Sequence, residues 1–388
     1  MKNLMFENQR WLICQPMFLE INGSTTLSLE LAEYLISQGA QVWVYSYAVG
    51  NPIENIAVKK GITIIKSVNF KADNFDYIWS NSQTLPRFIV EKLDTLSDKM
   101  NPIFLFAHLS SLKQAAPDEF PYILGLEERL ASKSVFVSRE ALSVQKSFFT
   151  KMPDASLFEN PAPIKFSKYP TNSRSKLTKV LMVSNHSNSE LQDAKELLEK
   201  KGIEVVQFGQ SHEKYQLIEP ELLADFDAVI TIGKTVQYCL VQGIPVYVYA
   251  HFSGDGYLTP ENFDENRQNN FSGRKRGTNW DYIPHERKTG SQIADELISG
   301  YKNALEFHTA NRNKWIEEFS IDYVLPNLMK TVVAKRNGRF SSSEVLNLIE
   351  MQTFSKRSFG HMMELWRTKR EIKLLQSQIK ALKNEKDS

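Results

Sequence analysis

Cysteine is scarce in this chain, and its scarcity argues against two kinds of structural cross-link. The 388 residues include only two cysteines, Cys14 and Cys239, which lie far apart inside apolar runs. No CxxC pair or Cys/His cluster accompanies them, so we expect neither a structural zinc site nor a disulfide framework.

Long apolar runs and a strong excess of one charge are missing as well. No segment has the roughly 18 apolar residues that a membrane helix needs, and the N-terminus has no signal-peptide core. The net charge of +2 argues against a dedicated nucleic-acid binder. We therefore expect a cytoplasmic protein with no nucleic-acid partner, whose only membrane contact would be peripheral.

The chain is too long for one ordinary core, which favours two α/β domains. Short β-rich runs alternate with helical patterns over 25–38, 191–201, 235–242, 291–312 and 313–336, which predicts parallel sheets covered by helices. The strands are predicted at 11–18, 41–47, 62–65, 77–80, 103–107, 134–137, 180–183, 205–208, 228–232 and 246–249.

The domain boundaries follow from composition. Residues 160–175 are rich in Pro, Ser and Asn, so we place an interdomain linker at 164–175. The prediction is two Rossmann-like domains, 1–163 and 176–312, which face each other across a cleft. A helix over 313–337 and a helical tail over 338–388 follow them.

The tail has unusual charge and spacing. Residues 355–388 hold nine Lys/Arg against four Asp/Glu, a net charge of +5. This charge suits self-association or attraction to anionic lipid. A heptad-like spacing indicates either a coiled coil or one amphipathic helix docked on its own domain; it consists of Leu365, Ile372, Leu375, Ile379 and Leu382.

Two strand-to-helix turns are candidate phosphate sites. Gly23-Ser24 precedes the first helix, where a glycine lets the backbone approach a ligand and the helix offers free N–H groups. Gly233-Lys234-Thr235 follows an apolar strand, but Ala228 stands where a Walker A loop needs glycine. Turns of this kind also occur without a ligand, as a plain connection or a capped helix.

A polar loop predicted over 251–278 is a third candidate, because so long a loop in a compact domain is usually functional. Its hydroxyl, amide and guanidinium groups suit a sugar and a phosphate, with a simple solvated loop as the alternative. The groups selected are Asp255, Tyr257, Asn262, Asn270, Ser272 and Arg274.

Three histidines follow predicted strands. His108 ends the strand 103–107 and is expected to face the cleft, while His186 occupies the equivalent place in the second domain. His251 begins the long loop. A single histidine at a strand end is more often a structural hydrogen-bonding group, and that alternative stays open for each.

Five segments in this order resemble the GT-B glycosyltransferases, specifically the family-4-like enzymes of bacterial surface-polysaccharide synthesis. The resemblance covers about residues 10–337. The segments are GSTTLSLELAEYLISQGAQVWVYSY at 23–47, FVSREALSVQKSFF at 136–149, LFENPAP at 157–163, KVLMVSNH at 179–186 and DAVITIGKTVQYCLVQGIPVYVY at 227–249.

The resemblance implies metal-independent sugar transfer, with no cofactor, from a nucleotide-sugar donor to a glycan or lipid-linked glycan acceptor. The helix over 313–337 would cross back to brace the first domain. Lys234 and Arg274 would supply charge to the diphosphate, and His108 would act at the sugar or acceptor. The predicted donor-binding residues are Gly23, Ser24, His186, Gly209, Gly233, Lys234, Thr235, Gln237, Asp255, Tyr257, Asn262, Asn270, Ser272 and Arg274.

The chain departs from that family at one motif. Retaining members usually carry two glutamates separated by seven residues, but Ile230 and Tyr238 stand at those positions, with Gln237 the nearest polar group. Two alternatives therefore stay open. One is a catalytically silent subunit or scaffold that assists a partner transferase, and the other is a nucleotide-sugar epimerase of the same fold.

Overall fold

The computed structural model describes residues 4–65, 70–95, 102–113, 119–169, 174–186, 188–209, 215–275, 283–335, 338 and 340–386. Two parallel-stranded sheets dominate it, one in each half of the chain. The predicted α/β class is confirmed, and nearly every predicted strand coincides with an observed one.

The first sheet has seven strands in the order β3-β2-β1-β4-β5-β6-β7, and all neighbours are parallel. The carboxyl ends of the strands therefore share one edge. The strands are β1 (Arg10–Phe18), β2 (Gln41–Val49), β3 (Thr63–Ile64), β4 (Tyr77–Asn81), β5 (Ile103–His108), β6 (Ala131–Phe136) and β7 (Ala155–Leu157). Its helices are α1 (Gly23–Ser37), α2 (Ile53–Lys59), α3 (Arg87–Val90), α4 (Leu126–Leu130) and α5 (Arg139–Gln145).

The second sheet has five strands in the order β12-β11-β10-β8-β9, with β12 antiparallel at the edge. The strands are β8 (Lys179–Val183), β9 (Glu204–Phe208), β10 (Ala228–Thr231), β11 (Val246–Ala250) and β12 (Ser253–Tyr257). A short hairpin of β13 (Arg274–Lys275) and β14 (Ile283–Pro284) stands apart from it. The helices of this half are α6 (Ser189–Lys200), α7 (Pro220–Ala224), α8 (Lys234–Gln242), α9 (Phe263–Gln268) and α10 (Gly290–Phe319).

The segment predicted as a long polar loop, 251–278, is instead largely ordered, so that prediction was wrong. It contains β12, α9 and β13, and residues 276–278 lie outside the described part. Gly254 explains how so polar a strand forms, because a Cβ there would lie 2.0 Å from the carbonyl oxygen of Val248 on β11. Only glycine allows this approach of two backbones.

The chain passes between the two halves at two places that lie side by side. Ala162 donates its N–H to the carbonyl of Phe319 (2.6 Å) and accepts from the N–H of Ile321 (2.8 Å). The helix predicted to begin at 313 instead begins after a break at Ser320, because α10 continues to Phe319. The next helix, α11 (Ile321–Lys330), packs in the same apolar cluster as α1 of the first half.

The predicted linker is packed rather than free where it is described. Residues Ile164–Lys168 form one turn of 3₁₀ helix. Within it, the buried Phe166 stacks on Tyr238 of α8 with ring centroids 4.2 Å apart. Residues 170–173 of the predicted linker lie outside the described part.

The last helix, α12 (Ser342–Lys386), lies partly on the first half. Its buried residues Val345, Leu348 and Ile349 join the apolar cluster beside α3 and α4, and Phe359 stacks on Tyr47 of β2. Among the described helices, none is long and apolar enough to cross a membrane.

Acid is expected to weaken the second half through His308 of α10. This ring is fully buried; it accepts from the N–H of Val246 (3.3 Å) at Nε2, and its Nδ1 lies 2.9 Å from the carbonyl oxygen of Ala304. Burial lowers the pKa of His308 from 6.5 to about 4. Between pH 6.5 and about pH 4 this histidine is therefore protonated in the unfolded chain but not in the folded chain. The free energy of unfolding therefore decreases as the pH falls through this range.

Because of this histidine, we expect the free energy of unfolding to fall by about 2 kcal/mol between pH 6.5 and pH 5. Urea unfolding of the wild type and His308→Gln over this range measures it. Glutamine can still accept from Val246 but does not titrate, so its acid slope should be shallower. Equal slopes would contradict the assignment.

Candidate functional site

A cavity of about 460 Å³ lies between the carboxyl edges of the two sheets. Its walls come from the turn after β1 and the residue after β5 on one side. On the other side they come from the turns after β8, β9, β10 and β11. In open α/β sheets ligands bind outside the carboxyl ends of the strands, and this volume is in the range of small-ligand sites.

The start of α1 forms one wall. Asn22 caps the helix, because its side chain accepts the N–H of Thr25 (3.0 Å) while the Thr25 hydroxyl accepts the N–H of Asn22 (3.2 Å). The Ser24 hydroxyl accepts from the amide of Gln15 (3.2 Å). Gly23 and Ser24, both predicted donor-binding residues, line the cavity.

The start of α8 forms the facing wall. Gly233 is the N-cap residue with φ +60° and ψ −134°, and a Cβ there would meet no atom within 4 Å. A Cβ on Gly23 would lie 4.0 Å from the Cβ of Lys234, so the two helix starts are neighbours. Both N-termini carry partial positive charge, which makes this end of the cavity suitable for an anion.

The turns after β8 and β9 approach each other most closely at Gly209, directly after β9. Its φ is +145°, and a Cβ would lie 1.8 Å from the carbonyl oxygen of Ser184 in the turn after β8. Glycine is therefore required for the two turns to meet at the cavity wall.

Two histidines line the cavity from the second half. The rings of His186 and His251 have centroids 4.0 Å apart. Burial, followed by the charges of His186, Arg287 and Arg274, lowers the pKa of His251 to about 4. At neutral pH His251 is therefore uncharged and can offer one hydrogen-bond donor and one acceptor.

Lys234 lies at the cavity, but its charge is already neutralised within the protein. Its ammonium lies 2.6 Å from Oε2 of Glu30 on α1 and donates to the carbonyls of Pro161 (2.6 Å) and Asn160 (3.2 Å). Burial lowers the pKa of Lys234 and raises that of Glu30, each partly offset by the other. Lys234 therefore forms an ion pair between the halves in this structure, and its predicted contact with a diphosphate stays a prediction.

Arg274 also pairs across the two halves. Its guanidinium donates to the carboxylate of Glu140 on α5 and to the hydroxyl of Ser111. It is buried and does not line the cavity. The structure therefore places Arg274 in an ion pair between the halves and outside the cavity, which corrects its predicted position at the donor phosphates.

His108 ends β5 as predicted, but its side chain points into the first half rather than into the cleft. It is 0% exposed, lies 3.0 Å from Oε2 of Glu127 through Nε2, and stacks on Phe136 with centroids 4.6 Å apart. The next residue, Leu109, lines the cavity in its place. The expected position at the cleft was wrong, because Phe136 and Glu127 hold the ring inside.

Five further predicted residues do not line the cavity. Asp255 contacts His285 (3.1 Å), the Tyr257 hydroxyl donates to the carbonyl of Leu297 (3.1 Å), and Asn262 accepts the N–H of Thr259 (2.8 Å). Gln237 and Ser272 are buried. The contacts of Asp255, Tyr257 and Asn262 lie within the second half. The predicted residues that do line the cavity are Gly23, Ser24, His186, Gly209, Gly233, Lys234, Thr235 and Asn270.

Several residues at the cavity were not selected from the sequence. Tyr215 bridges the halves, since its hydroxyl accepts the N–H of Ile21 (2.7 Å) and donates to its carbonyl (3.2 Å). Asn160 donates to the side chain of Asn270 (3.0 Å). The others include Thr26, Ser184, Asn185 and Tyr238. His251, which the sequence indicated only as a histidine after a strand, lines the cavity as well. Strand-end position could have indicated Ser184 and Asn185, but no local pattern indicates Tyr215.

Within the described ranges, no group of three or more His, Cys, Asp or Glu side chains is arranged to hold a metal ion.

Comparison with solved structures identifies proteins of the same fold, whereas two comparisons at the level of sequence found no match. No model of a protein family matches the sequence. A search of curated proteins finds no similar sequence. HepE of Anabaena, solved in complex with UDP-glucose, matches with a TM-score of 0.54 and 13% identity over 84% of this chain and 99% of HepE. A glycosyltransferase of Rickettsia africae matches with a TM-score of 0.52 and 14% identity over 83% of this chain and 97% of that protein.

Structural matches at sequence identities this low establish the architecture alone. Together with the two observed sheets and the cavity between them, they show that the chain has the GT-B fold, with a helical stretch added at its C-terminus.

Proposed function

We propose that the protein is a glycosyltransferase that moves a sugar from a nucleotide-sugar donor to a hydroxyl of a glycan acceptor. The observation that carries the proposal is the 460 Å³ cavity where the starts of α1 and α8 meet. Two neighbouring helix N-termini offer backbone N–H groups and partial positive charge, which suit a diphosphate. HepE, which has the same fold, was solved with UDP-glucose.

The rest of the cavity suits the uncharged parts of such a donor. Asn185, His186 and His251 approach from the second half, and Ser24 and Thr26 from the first. Amide and hydroxyl groups and the neutral imidazole of His251 can recognise sugar hydroxyls and the edge of a base without adding charge.

The diphosphate would be held mainly by amides rather than by side-chain cations. Lys234 and Arg274, the two cations expected there, are paired with Glu30 and Glu140. In the transfer step the acceptor hydroxyl oxygen bonds to the anomeric carbon, and the bond from that carbon to the diphosphate oxygen breaks with its electron pair staying on the diphosphate. The hydroxyl proton passes to the departing diphosphate or to water. The N–H groups near Gly233 and Thr235 would stabilise the charge that grows on the departing diphosphate.

A glycan or lipid-linked glycan of bacterial surface-polysaccharide synthesis is the acceptor we propose, entering from the first half. Incubating the full chain with UDP-, GDP- and ADP-sugars, with and without acceptor glycans, tests the proposal. Transfer releases nucleoside diphosphate and lengthens the acceptor. A sugar altered without acceptor would show an epimerase, and donor binding without turnover would show a silent subunit.

Transfer is expected to survive EDTA. Asp225 and Asp227 stand before the amino end of β10, and no paired carboxylates in a ligand-like spacing follow the carboxyl end of a predicted strand. The two helix starts can stabilise the leaving diphosphate without a metal. Initial rates with and without EDTA, with a magnesium-dependent transferase as the assay control, measure this. Loss of activity that magnesium or manganese restores would contradict it.

A further inference from the structure

Helix α12 has two apolar faces. Its buried residues Val345, Leu348, Ile349 and Phe359 lie on the side that packs against the first half. At 3.6 residues per turn, a second set falls on the opposite side of the helix. That set is 37–76% exposed and consists of Met351, Phe354, Leu365, Ile372, Leu375 and Ile379.

The helix also extends well beyond the surface on which it docks. Phe359 is the last buried residue among the described side chains, and the helix continues to Lys386. At 1.5 Å per residue this is roughly 40 Å of helix. Helices in proteins gain most of their stability from packing an apolar face against a partner, so a partner for this face would stabilise the extension.

The exposed set follows the heptad seam of a coiled coil. With Leu365, Ile372 and Ile379 at a positions, Leu375 occupies a d position. Isoleucine at a together with leucine at d favours parallel two-stranded coiled coils. The g position of one heptad, Glu364, would face Lys369 at the e position of a second helix in the same register.

We infer that residues of α12 beyond Phe359 form a parallel, in-register coiled coil with a second copy of this chain. A second copy fits better than an anionic membrane surface, although the tail is basic. The seam is as narrow as an a/d stripe, and acidic residues such as Glu364 and Glu371 flank it. A membrane-bound helix usually presents a wider apolar face between cationic residues.

The first test is the mass of the full chain in solution. Sedimentation equilibrium should show an average mass that rises with concentration from 44.6 kDa toward twice that value. Ile372→Asp should raise the dissociation constant on the order of 100-fold, because the dimer would bury two unpaired carboxylates. Arg367→Asp, an outward c position with the same new side chain, is the matched control and should remain dimeric.

The second test addresses orientation. Leu375→Cys should form a disulfide-linked dimer on mild oxidation, because equivalent d positions meet only in a parallel, in-register pair. Cys14 and Cys239 are buried and should not react. Glu364→Lys should weaken the dimer, and adding Lys369→Glu should restore it.

Three outcomes would overturn the inference. One is a chain that stays monomeric at its highest soluble concentration, and another is a dimer that Ile372→Asp leaves intact. The third is a monomer that pellets with vesicles of phosphatidylcholine and phosphatidylglycerol, which would assign the seam to a membrane. Failure of Leu375→Cys to cross-link a confirmed dimer would overturn the parallel register.

Discussion

Gly209→Ala is expected to reduce donor binding and turnover by roughly 100-fold, since displacing a site by about 1 Å can have an effect of this size. A Cβ at Gly209 would lie 1.8 Å from the carbonyl oxygen of Ser184, so one of the two cavity turns must move. Both residues line the cavity in which we propose that the nucleotide-sugar is bound. Calorimetry with the nucleoside diphosphate and initial-rate assays with the intact donor measure the two effects.

Gly202→Ala is the matched control for this variant. Gly202 lies before β9, and Gly209 lies directly after it. The φ of +80° at Gly202 makes alanine unfavourable there too. A Cβ at Gly202, however, would meet no atom within 4 Å. Both variants should lose some stability through the backbone, but only Gly209→Ala should lose donor binding. Equal donor affinity in the two variants would show that the donor lies elsewhere.

The strands could be predicted because their signal is local. Runs such as Val180–Met182 in β8 and Ala228–Ile230 in β10 are continuous apolar segments, and all of these residues are buried in the structure. Parallel strands covered on both faces give this pattern in any sequence. The alternation of these strands with helices along the chain is then enough to predict two Rossmann-like units.

Strand β12 could not be predicted because its signal is tertiary. Its sequence, SGDGY, has low β propensity and resembles a turn. It is a strand because Gly254 allows it to approach β11, a contact that depends on the completed sheet. The six residues selected from 251–278 for donor binding were chosen as members of a loop. Of those six, Asn270 lines the cavity, as does His251 at the start of the segment.

The positions of the functional turns were also accessible from sequence, but the partners of their charged side chains were not. Gly23 and Gly233 follow strands, which places them at the cavity. Arg274 pairs with Glu140, which is 134 residues away, and nothing in either local sequence indicates the other. His108 shows the same limit, since strand position alone does not decide between the cleft and the core.

Lys234→Met is expected to reduce the free energy of unfolding by about 3–5 kcal/mol, the usual effect of removing one partner of a buried ion pair. The side chains of Lys234 and Glu30 are 6% and 9% exposed, and the ammonium lies 2.6 Å from the Glu30 carboxylate. Without the lysine, the Tyr238 hydroxyl would be the one hydrogen-bond donor left to that carboxylate within the described part of the chain. Denaturant unfolding measures the loss.

Two further variants separate the ion pair from other effects of the substitution. The double variant Glu30→Gln/Lys234→Met leaves neither charge buried, so it should recover much of the lost stability. Lys201→Met removes the same side chain from an ion pair with Asp295 that is about half exposed, and it should change little. A Lys234→Met protein that keeps its stability but binds nucleoside diphosphate poorly would contradict this assignment. It would return Lys234 to the donor site, since the ammonium would then be bound to phosphate rather than to Glu30 in the working enzyme.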